Sequence, residues 1–346
     1  MAGNDLISFL HRIQQECGGQ IPFERFMQEA LHHPDFGYYS AHIRDVGSGG
    51  DFSTSATLGT RLGKAIAAWI TNRARSWKWN RIPVIEIGAG GGQLAETVLG
   101  HLDLTNRWRT QYTIVESSPV LCRHQKKRLR WKGVRWASSL EEALQRHHGR
   151  ALIFSNELVD AFPCRLFQKR DGGWSEIGVR ISPDGSLSEI VFDQICSDPW
   201  TLPYEDLPPG QRLERHESYR NWLTGWAPFW REGSQLTIDY GDTEERIYER
   251  RPSGTLRAYW KHQRLTGSDL YARFGRQDLT ADVNFSDLMK WGHSLGWNTA
   301  CYSSQSEFLY RWNGSGKPTT SNPVSGDAEE AFRVLEQTRG ISPQIP

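Results

Sequence analysis

Residues 86 to 92 have the sequence Glu-Ile-Gly-Ala-Gly-Gly-Gly and join a predicted strand to a predicted helix. Glycine at Gly88, Gly90 and Gly92 lets the backbone turn tightly and approach a ligand closely, because glycine has no Cβ and tolerates positive φ. The free N–H groups at the start of the next helix favour a carboxylate or a phosphate. The spacing therefore predicts a nucleotide-type binding turn, with Glu86 as a further contact.

Two details favour S-adenosylmethionine over a dinucleotide as the ligand of this turn. A dinucleotide fingerprint needs glycine at position 93 for close packing of helix on strand, and the chain has Gln93 there. Glu116, followed by Ser117, ends the next predicted strand, where an acidic side chain accepts both ribose hydroxyls and repels a 2′-phosphate. The alternatives are NAD as ligand and Glu116 as a plain surface carboxylate.

A third set of polar residues follows another predicted strand, in the segment Ser-Asn-Glu-Leu-Val-Asp-Ala-Phe-Pro at residues 155 to 163. Open α/β sheets bind ligands outside the carboxyl ends of their strands, so Asn156, Glu157 and Asp160 are candidates for the reacting site. Two carboxylates suit an arginine substrate, whose guanidinium is a planar fork of donors. The alternative is structural, with Asp160 capping the following turn and Glu157 paired internally.

The elements that must position these residues form a doubly wound α/β pattern. Strands are predicted at residues 83–87, 112–116, 151–154 and 235–239, separated by helices. Two packing helices precede them, and a glycine-rich segment at residues 44–55 is either a mobile lid or a surface loop.

Three domain regions are expected. Residues 1–80 hold the helices and the covering loop, and residues 81–313 hold the core. Residues 314–346 form a tail with a short helix at 328–337. Within the core we predict an antiparallel meander at about 164–192, added at an edge of the sheet around Asp-Gly turns. Insertions at about 200–232 and 242–285 complete the core, the first with helix-like material from residue 211 and the second over the sheet's carboxyl edge.

Composition narrows the function classes. The chain has 41 basic and 40 acidic residues, so its net charge of +1 gives no global attraction to nucleic acid or to a membrane, and any polyanion site must be local. Five dispersed cysteines and the missing signal and membrane-span patterns indicate the cytoplasm. The histidines lack a zinc-ligand pattern and no Gly-x-Ser-x-Gly is present, so metal and serine-hydrolase mechanisms lack support.

At these motifs the chain resembles the MidA-like family of methyltransferases, relatives of a mitochondrial complex I assembly factor that methylates a protein arginine. The resemblance spans roughly residues 20 to 310, and five motifs occur in order. These are Gly50-Asp51-Phe52-Ser53-Thr54-Ser55, Glu86-Ile87-Gly88-Ala89-Gly90, Ser155-Asn156-Glu157 with Asp160-Ala161 and Pro163, Asp239-Tyr240-Gly241, and Gly254-Thr255-Leu256-Arg257 with Tyr259.

The resemblance implies a seven-stranded class I methyltransferase fold, with Asp51, Phe52 and Thr54 closing over S-adenosylmethionine and Asn156 and Glu157 lining the methyl site. Two departures stand out. Where the family usually has Pro-Glu after the Thr-Ser step, this chain has Ala56-Thr57, and where the family has Ala-His-Val-Asp-Phe, it has residues 281–285, Ala-Asp-Val-Asn-Phe.

The expected reaction is direct displacement, driven mainly by positioning in a site without bulk water. A protein arginine is the first candidate acceptor, and a subunit of a respiratory-type complex is one candidate protein. A small molecule is the second, with Glu157 or His262 as the base for an oxygen acceptor. A non-catalytic assembly factor with a vestigial pocket is the third. Nucleic acid, membrane and metal are not expected, and a homodimer is left open.

Overall fold

The computed structural model describes residues 2–42, 60–198, 200, 204–314 and 331–340 of the 346. The helices are α1 (Ala2–Glu16), α2 (Phe23–His32), α3 (Arg61–Ser76), α4 (Gln93–His101), α5 (Leu104–Arg109), α6 (Pro119–Arg128), α7 (Leu140–Gln145), α8 (Glu217–Trp226), α9 (Phe285–Ser294) and α10 (Gln305–Asn313). Short π- and 3₁₀-helical turns lie at Tyr38–His42, Ala227–Phe229 and Gly267–Tyr271.

The strands fall into three sheets. They are β1 (Ile21–Pro22), β2 (Ile82–Ile87), β3 (Thr110–Val115), β4 (Arg135–Ala137), β5 (Arg150–Asn156), β6 (Arg165–Arg170), β7 (Gly173–Ile181), β8 (Leu187–Cys196), β9 (Arg212–Arg215), β10 (Glu232–Asp242), β11 (Arg257–Trp260), β12 (Gln263–Leu265), β13 (Asp278–Thr280), β14 (Val283–Asn284), β15 (Asn298–Ser304) and β16 (Phe332–Arg339).

The chain divides into two compact units, each built from discontinuous segments. The first comprises Met1–Ile43, Val159–Arg220 and Asp242–Asn284, and the second comprises Arg44–Leu158, Asn221–Gly241 and Phe285–Pro346. The N-terminal helices α1 and α2 thus group with the meander. The domain limits expected at residues 80 and 313 stay predictions.

Seven strands of the second unit lie side by side in one sheet, in the order β15-β16-β10-β5-β2-β3-β4. Strands β10, β5, β2, β3 and β4 run parallel, whereas β16 runs antiparallel to both of its neighbours. The predicted class I methyltransferase fold is confirmed. Strand β2 is buried along its whole length, as its apolar run requires in a sheet with helices on both faces.

Register brings the functional segments to one edge of this sheet. Ile87 at the end of β2 lies opposite Ser155 of β5, and Asn156 lies opposite Ile238 of β10. The glycine turn after β2 and the polar segment after β5 therefore leave the sheet side by side. This is the carboxyl edge, where such sheets bind their ligands.

The predicted tail helix at 328–337 is wrong over the part that the structure describes. Residues 332–339 form β16, inserted between β10 and β15. The sequence did not indicate a buried strand here because several of its residues are polar. In the structure these polar residues are buried and hydrogen-bonded. Glu336 accepts hydrogen bonds of 2.6 Å from each of the Arg73 Nε and Nη2 atoms and one of 3.0 Å from Trp69 Nε1.

The first unit contains the predicted meander, β6-β7-β8, with its turns at Asp171-Gly172 and at residues 182–186. It is not an addition at an edge of the parallel sheet, as expected, because it forms a separate sheet with β1 and β9. Helix-like material was expected from residue 211. The structure has strand β9 at the start of that stretch, and the α-helix that follows is α8. A third sheet, in the order β12-β11-β13, lies within the predicted insertion at 242–285.

Candidate functional site

The glycine turn has the backbone that its sequence predicted. Gly88, Gly90 and Gly92 have φ of 66°, 51° and 82°, in the left-handed region that side chains rarely adopt. A Cβ at Gly88 would lie 2.9 Å from Leu158 Cδ1. Helix α4 begins directly after Gly92, so its first N–H groups point back toward the turn. The turn therefore offers backbone donors without side chains in the way.

Glu86 lies on β2 just before the turn and is only 2% exposed. Its Oε2 atom accepts a 2.7 Å hydrogen bond from the Tyr112 hydroxyl. Burial raises the pKa of Glu86 to about 7, and the nearby Glu116 acts in the same direction, while the bond from Tyr112 opposes both. Glu86 is thus a buried carboxyl whose charge changes near neutral pH.

Glu116 directly follows β3 at the same edge and is held by neutral donors. Its Oε1 accepts from the Ser118 amide at 2.8 Å, and its Oε2 accepts from Gln125 Nε2 at 2.8 Å. Burial raises the pKa of Glu116, against these hydrogen bonds. Each carboxylate oxygen can accept further hydrogen bonds, so the group retains capacity for the hydroxyls of a bound ribose. Ser117, the next predicted contact, is exposed.

Gln125 was not among the predicted site residues, although it is hydrogen-bonded to both Glu116 and the glycine turn. Its Nε2 also donates to the Gly90 carbonyl at 2.9 Å, and its Oε1 accepts from Trp136 Nε1 at 3.0 Å. Gln125 is fully buried on α6. It therefore fixes the glycine turn and Glu116 relative to each other. The sequence did not indicate this role, because Gln125 lies four residues after Leu121 on a predicted helix.

Asn156 is the last residue of β5 and Glu157 follows it, at the centre of the carboxyl edge. Glu157 has a φ of 51°, an uncommon conformation for a residue with a side chain. Its amide donates to the Ile238 carbonyl at 2.9 Å, and Asn156 Nδ2 donates to Glu157 Oε1 at 3.0 Å. Such backbone strain persists only where the surroundings impose it, and it is concentrated at functional sites.

Asp239 holds this strained segment in place. Its Oδ2 atom accepts from the Leu158 amide at 3.1 Å, and the side chain is fully buried. Asp239 was not a predicted site residue, but it begins the Asp-Tyr-Gly motif that contributed to the family resemblance. The motif was thus the signal that could have revealed it.

Asp160 lies in the first unit and is 7% exposed. Its Oδ2 atom accepts a 2.7 Å hydrogen bond from the Thr280 hydroxyl, and its carbonyl accepts from the Ala281 amide at 3.2 Å. Burial raises the pKa of Asp160, whereas Thr280 and the charge of Arg257 oppose that shift. The other candidate base, His262, is exposed in the turn between β11 and β12.

The remaining sequence predictions concern the loop at residues 51–57, metal ions and membranes. Asp51, Phe52 and Thr54, together with the departure at Ala56-Thr57, lie outside the described residues. No group of metal-ligating side chains occurs within the described ranges, and no helix there is long and apolar enough to cross a membrane.

The donor set of the second unit fits S-adenosylmethionine. A turn free of side chains and the first amides of α4 suit the carboxylate of its methionine part, because helix N-termini favour anions. Glu116 offers carboxylate oxygens at the end of β3, where ribose hydroxyls are bound in this class of sheet. Asn156 and Glu157 supply the polar groups next to the turn.

Comparisons with known proteins agree with this interpretation. Residues 65–303 match the model of a family described as putative S-adenosyl-L-methionine-dependent methyltransferases. A relative from Drosophila melanogaster named mitochondrial protein arginine methyltransferase NDUFAF7 homolog is 28% identical over 333 residues, covering 86% of this chain and 73% of the relative. Its Danio rerio counterpart is 27% identical, with 79% and 68% covered.

A crystal structure supports the fold and the ligand class. A likely methyltransferase from Burkholderia thailandensis, bound to S-adenosyl-homocysteine, superimposes with a TM-score of 0.83 at 26% identity, covering 98% of this chain and 92% of that one. The expected cytoplasmic location is wrong, because the curated relatives are named as mitochondrial proteins. The chain belongs to this family of S-adenosylmethionine-dependent methyltransferases, and its cofactor is S-adenosylmethionine.

Proposed function

We propose that this methyltransferase transfers a methyl group to an arginine guanidinium of a protein, with Glu157 and Asn156 as the residues that orient the acceptor. The observation that carries the proposal is the placement of Glu157. It leaves the central strand β5 beside the glycine turn, in a left-handed conformation maintained by Ile238 and Asp239. Relatives named protein arginine methyltransferases support the choice of acceptor.

The residues contribute mainly by positioning. The bound cofactor supplies an electrophilic methyl group on a sulfonium. Glu157 accepts N–H bonds from the guanidinium and compensates its charge, while Asn156 Nδ2 keeps the Glu157 carboxylate in one orientation. Ordering the acceptor nitrogen in line with the reacting carbon lowers the entropic part of the barrier. As the nitrogen–carbon bond forms, the carbon–sulfur bond of the sulfonium would break to leave a neutral thioether, and the nitrogen would release one proton to water or to the Glu157 carboxylate.

The cofactor contacts follow from the same geometry. In the proposal, Gly88, Gly90 and Gly92 receive the methionine part, and Glu116 with Ser117 receives the ribose, while Glu86 lies behind the turn. Asp51, Phe52 and Thr54 complete the set by the family resemblance alone. The role expected for Asp160 stays a prediction, because its observed partners are Thr280 and Ala281 of its own unit.

The test uses a protein extract from a strain that lacks the gene, incubated with methyl-labelled S-adenosylmethionine and the purified enzyme. We expect labelled methylarginine in the acid hydrolysate. With Glu157→Gln we expect about 10- to 100-fold slower transfer at unchanged cofactor affinity, since a hydrogen bond to a charged group contributes roughly 1.5–3 kcal/mol. The matched control, Glu249→Gln, removes an exposed carboxylate and leaves transfer unchanged.

Two results would contradict the proposal. Label confined to small molecules or to side chains other than arginine would assign a different acceptor. Unimpaired transfer by a correctly folded Glu157→Gln protein would remove Glu157 from the reaction.

A further inference from the structure

The edge of the parallel sheet opposite the cofactor carries exposed apolar side chains. Leu104 and Trp108 on α5 are 90% and 74% exposed, and Trp131, which precedes β4, is 83% exposed. Single exposed apolar side chains are common on protein surfaces, whereas several that are exposed along one edge can mark an interaction site. We call Leu104, Trp108 and Trp131, together with Arg81 and Arg130, the N-edge patch.

Topology places these residues together. Arg81 directly precedes β2, Trp108 lies two residues before β3, and Trp131 lies four residues before β4. The three strands are parallel neighbours, with β3 in the middle. Because adjacent strands lie about 5 Å apart, the segments that enter them lie along one edge. The patch residues therefore lie along the amino edge of the sheet.

Positive charge accompanies the apolar side chains. The Arg81 guanidinium carbon lies 4.7 Å from the centre of the Trp108 ring, and that of Arg130 lies 5.2 Å from the centre of the Trp131 ring. Arg135, at the start of β4, is exposed at the same edge. The acidic neighbour Asp103 is occupied as the N-cap of α5, where it accepts from Asn106. The net charge of +1 for the whole chain thus conceals a local basic surface.

A polar cleft of about 500 Å³ adjoins the patch. Arg75, Lys78 and Arg109 line it together with the carboxylate of Asp103, so its basic side chains outnumber its one acidic side chain. Arg109 belongs to the same short helix as Leu104 and Trp108. Arg109 is fixed there, because its Nε donates to the Asn80 carbonyl at 3.0 Å. Arg75 and Lys78 are exposed. Cationic donors around a cleft of this size suit a phosphate group.

We propose that the N-edge patch docks the enzyme on an anionic phospholipid bilayer, with Leu104, Trp108 and Trp131 entering the interfacial layer and lipid phosphates near Arg75 and Lys78. Tryptophan and leucine partition into the headgroup boundary, and neighbouring arginines bind the negative surface. A nucleic acid is less suitable, because guanidinium groups already cover a face of both tryptophan rings and Leu104 has no ring to stack.

Docking at this edge leaves the carboxyl edge of the same sheet, with the glycine turn and Glu157, directed away from the lipid. The enzyme would thus bind the membrane peripherally, by the edge of this sheet opposite the glycine turn. This arrangement needs no membrane-spanning helix, and none occurs within the described parts of the chain.

Vesicle co-sedimentation tests the proposal with the full-length protein. We expect binding to vesicles of phosphatidylcholine mixed with phosphatidylglycerol, none to phosphatidylcholine alone, and weaker binding as salt is raised. Arg81→Glu combined with Arg130→Glu is expected to weaken binding at least roughly 25-fold, from about fivefold for each basic side chain removed. Leu104→Ser combined with Trp108→Ser and Trp131→Ser is expected to abolish it.

Control variants change similar side chains elsewhere. Tyr310→Ser alters an aromatic residue that is 48% exposed on α10, and Arg264→Glu reverses an exposed charge on β12. Both are expected to bind vesicles like the unmodified protein. Cofactor affinity and melting temperature, measured on every variant, show that the fold is retained.

Three outcomes would overturn the proposal. The first is an absence of binding to anionic vesicles, and the second is binding that the patch variants leave unchanged. The third is tighter patch-dependent binding of inorganic phosphate or of an RNA oligonucleotide than of vesicles, which would assign the surface to that ligand.

Discussion

Two carboxylates of the second unit, Glu86 and Glu116, are stabilised differently from Asp282 of the first unit. In the second unit, Glu86 and Glu116 accept hydrogen bonds from a tyrosine hydroxyl, a glutamine amide and a backbone amide, all of them neutral. In the first unit, Asp282 is bonded to the guanidinium groups of Arg251 and Arg257.

This difference separates a ligand-binding arrangement from a stabilising one. Carboxylates held by neutral donors keep their capacity to accept hydrogen bonds from a ligand, and their charge responds to pH because burial is not offset by a cation. A carboxylate between two arginines is committed to its partners, so its removal affects stability first. We therefore expect changes at Glu86 and Glu116 to affect cofactor binding and the pH dependence of stability, and changes at Asp282 to affect the free energy of unfolding.

The largest expected effect is on stability. Asp282→Ala leaves the guanidinium of Arg257, which is 5% exposed, without its 2.6 Å partner. Loss of one member of a buried ion pair costs about 3–5 kcal/mol, so the free energy of unfolding in urea should fall by that amount. The double variant Asp282→Ala with Arg257→Leu should recover part of the loss.

A surface pair provides the control for Asp282. Asp193 is fully exposed and lies 3.8 Å from Arg170, and Asp193→Ala should change the free energy of unfolding by less than about 0.5 kcal/mol. Equal losses for Asp282→Ala and Asp193→Ala would mean that the ion pair of the first unit does not stabilise it.

The next effect concerns pH. The pKa of Glu86 is raised to about 7 in the folded protein, so the folded state holds this proton more tightly than the unfolded chain does. Its stabilising contribution is complete below pH about 4.5 and is lost as the pH rises through about 7, a change of about 3 kcal/mol. Burial lowers the pKa of His216 to about 4, below its value in the unfolded chain. His216 therefore has the opposite effect on stability, which is lost as the pH falls through about 4.

Comparison with Glu86→Gln isolates this contribution from that of His216. Between about pH 4.5 and 7 the unmodified protein should lose stability relative to the variant, as measured by urea unfolding at several pH values. Glu96→Gln, which changes a carboxylate that is 41% exposed on α4, is the control for the substitution of glutamate by glutamine. A curve for Glu86→Gln parallel to that of the unmodified protein would show that Glu86 does not titrate near neutrality.

A smaller effect is expected on cofactor binding at Glu116. Glu116→Gln keeps the shape of the side chain but removes a charged acceptor, so S-adenosylmethionine affinity should fall about 10- to 100-fold in isothermal titration. Glu96→Gln again serves as the control. Unchanged affinity for Glu116→Gln would assign the ribose to other groups.

The sequence predicted the parts of the site that depend on local chain properties. An apolar run, three glycines at alternate positions and a helix-forming segment were enough to locate β2, the turn and α4, because each requirement acts over a few residues. Asn156 and Glu157 were identified in the same way, because they follow a short apolar run, and the family motifs include both residues.

The missing parts depend on tertiary contacts. The polar residues of β16 look unsuited to a buried strand until Arg73 and Trp69 are seen to pair with Glu336. Gln125 resembles any polar helix residue until its bonds to Gly90 and Glu116 are known. The positive φ of Glu157 arises from bonds to β10, a strand some eighty residues later in the chain.

The most direct test of the account is isothermal titration of Gly90→Val with S-adenosylmethionine, beside the unmodified protein and Gly100→Val. Gly90 has a φ of 51°, which valine adopts only with strain, whereas Gly100 lies on α4, where an added Cβ would have no atom within 4 Å. We predict micromolar affinity, about 8 kcal/mol, for the unmodified protein and Gly100→Val, no binding of NAD, and at least roughly a hundredfold loss for Gly90→Val. Retained affinity in a folded Gly90→Val protein would contradict the placement of the cofactor on this turn.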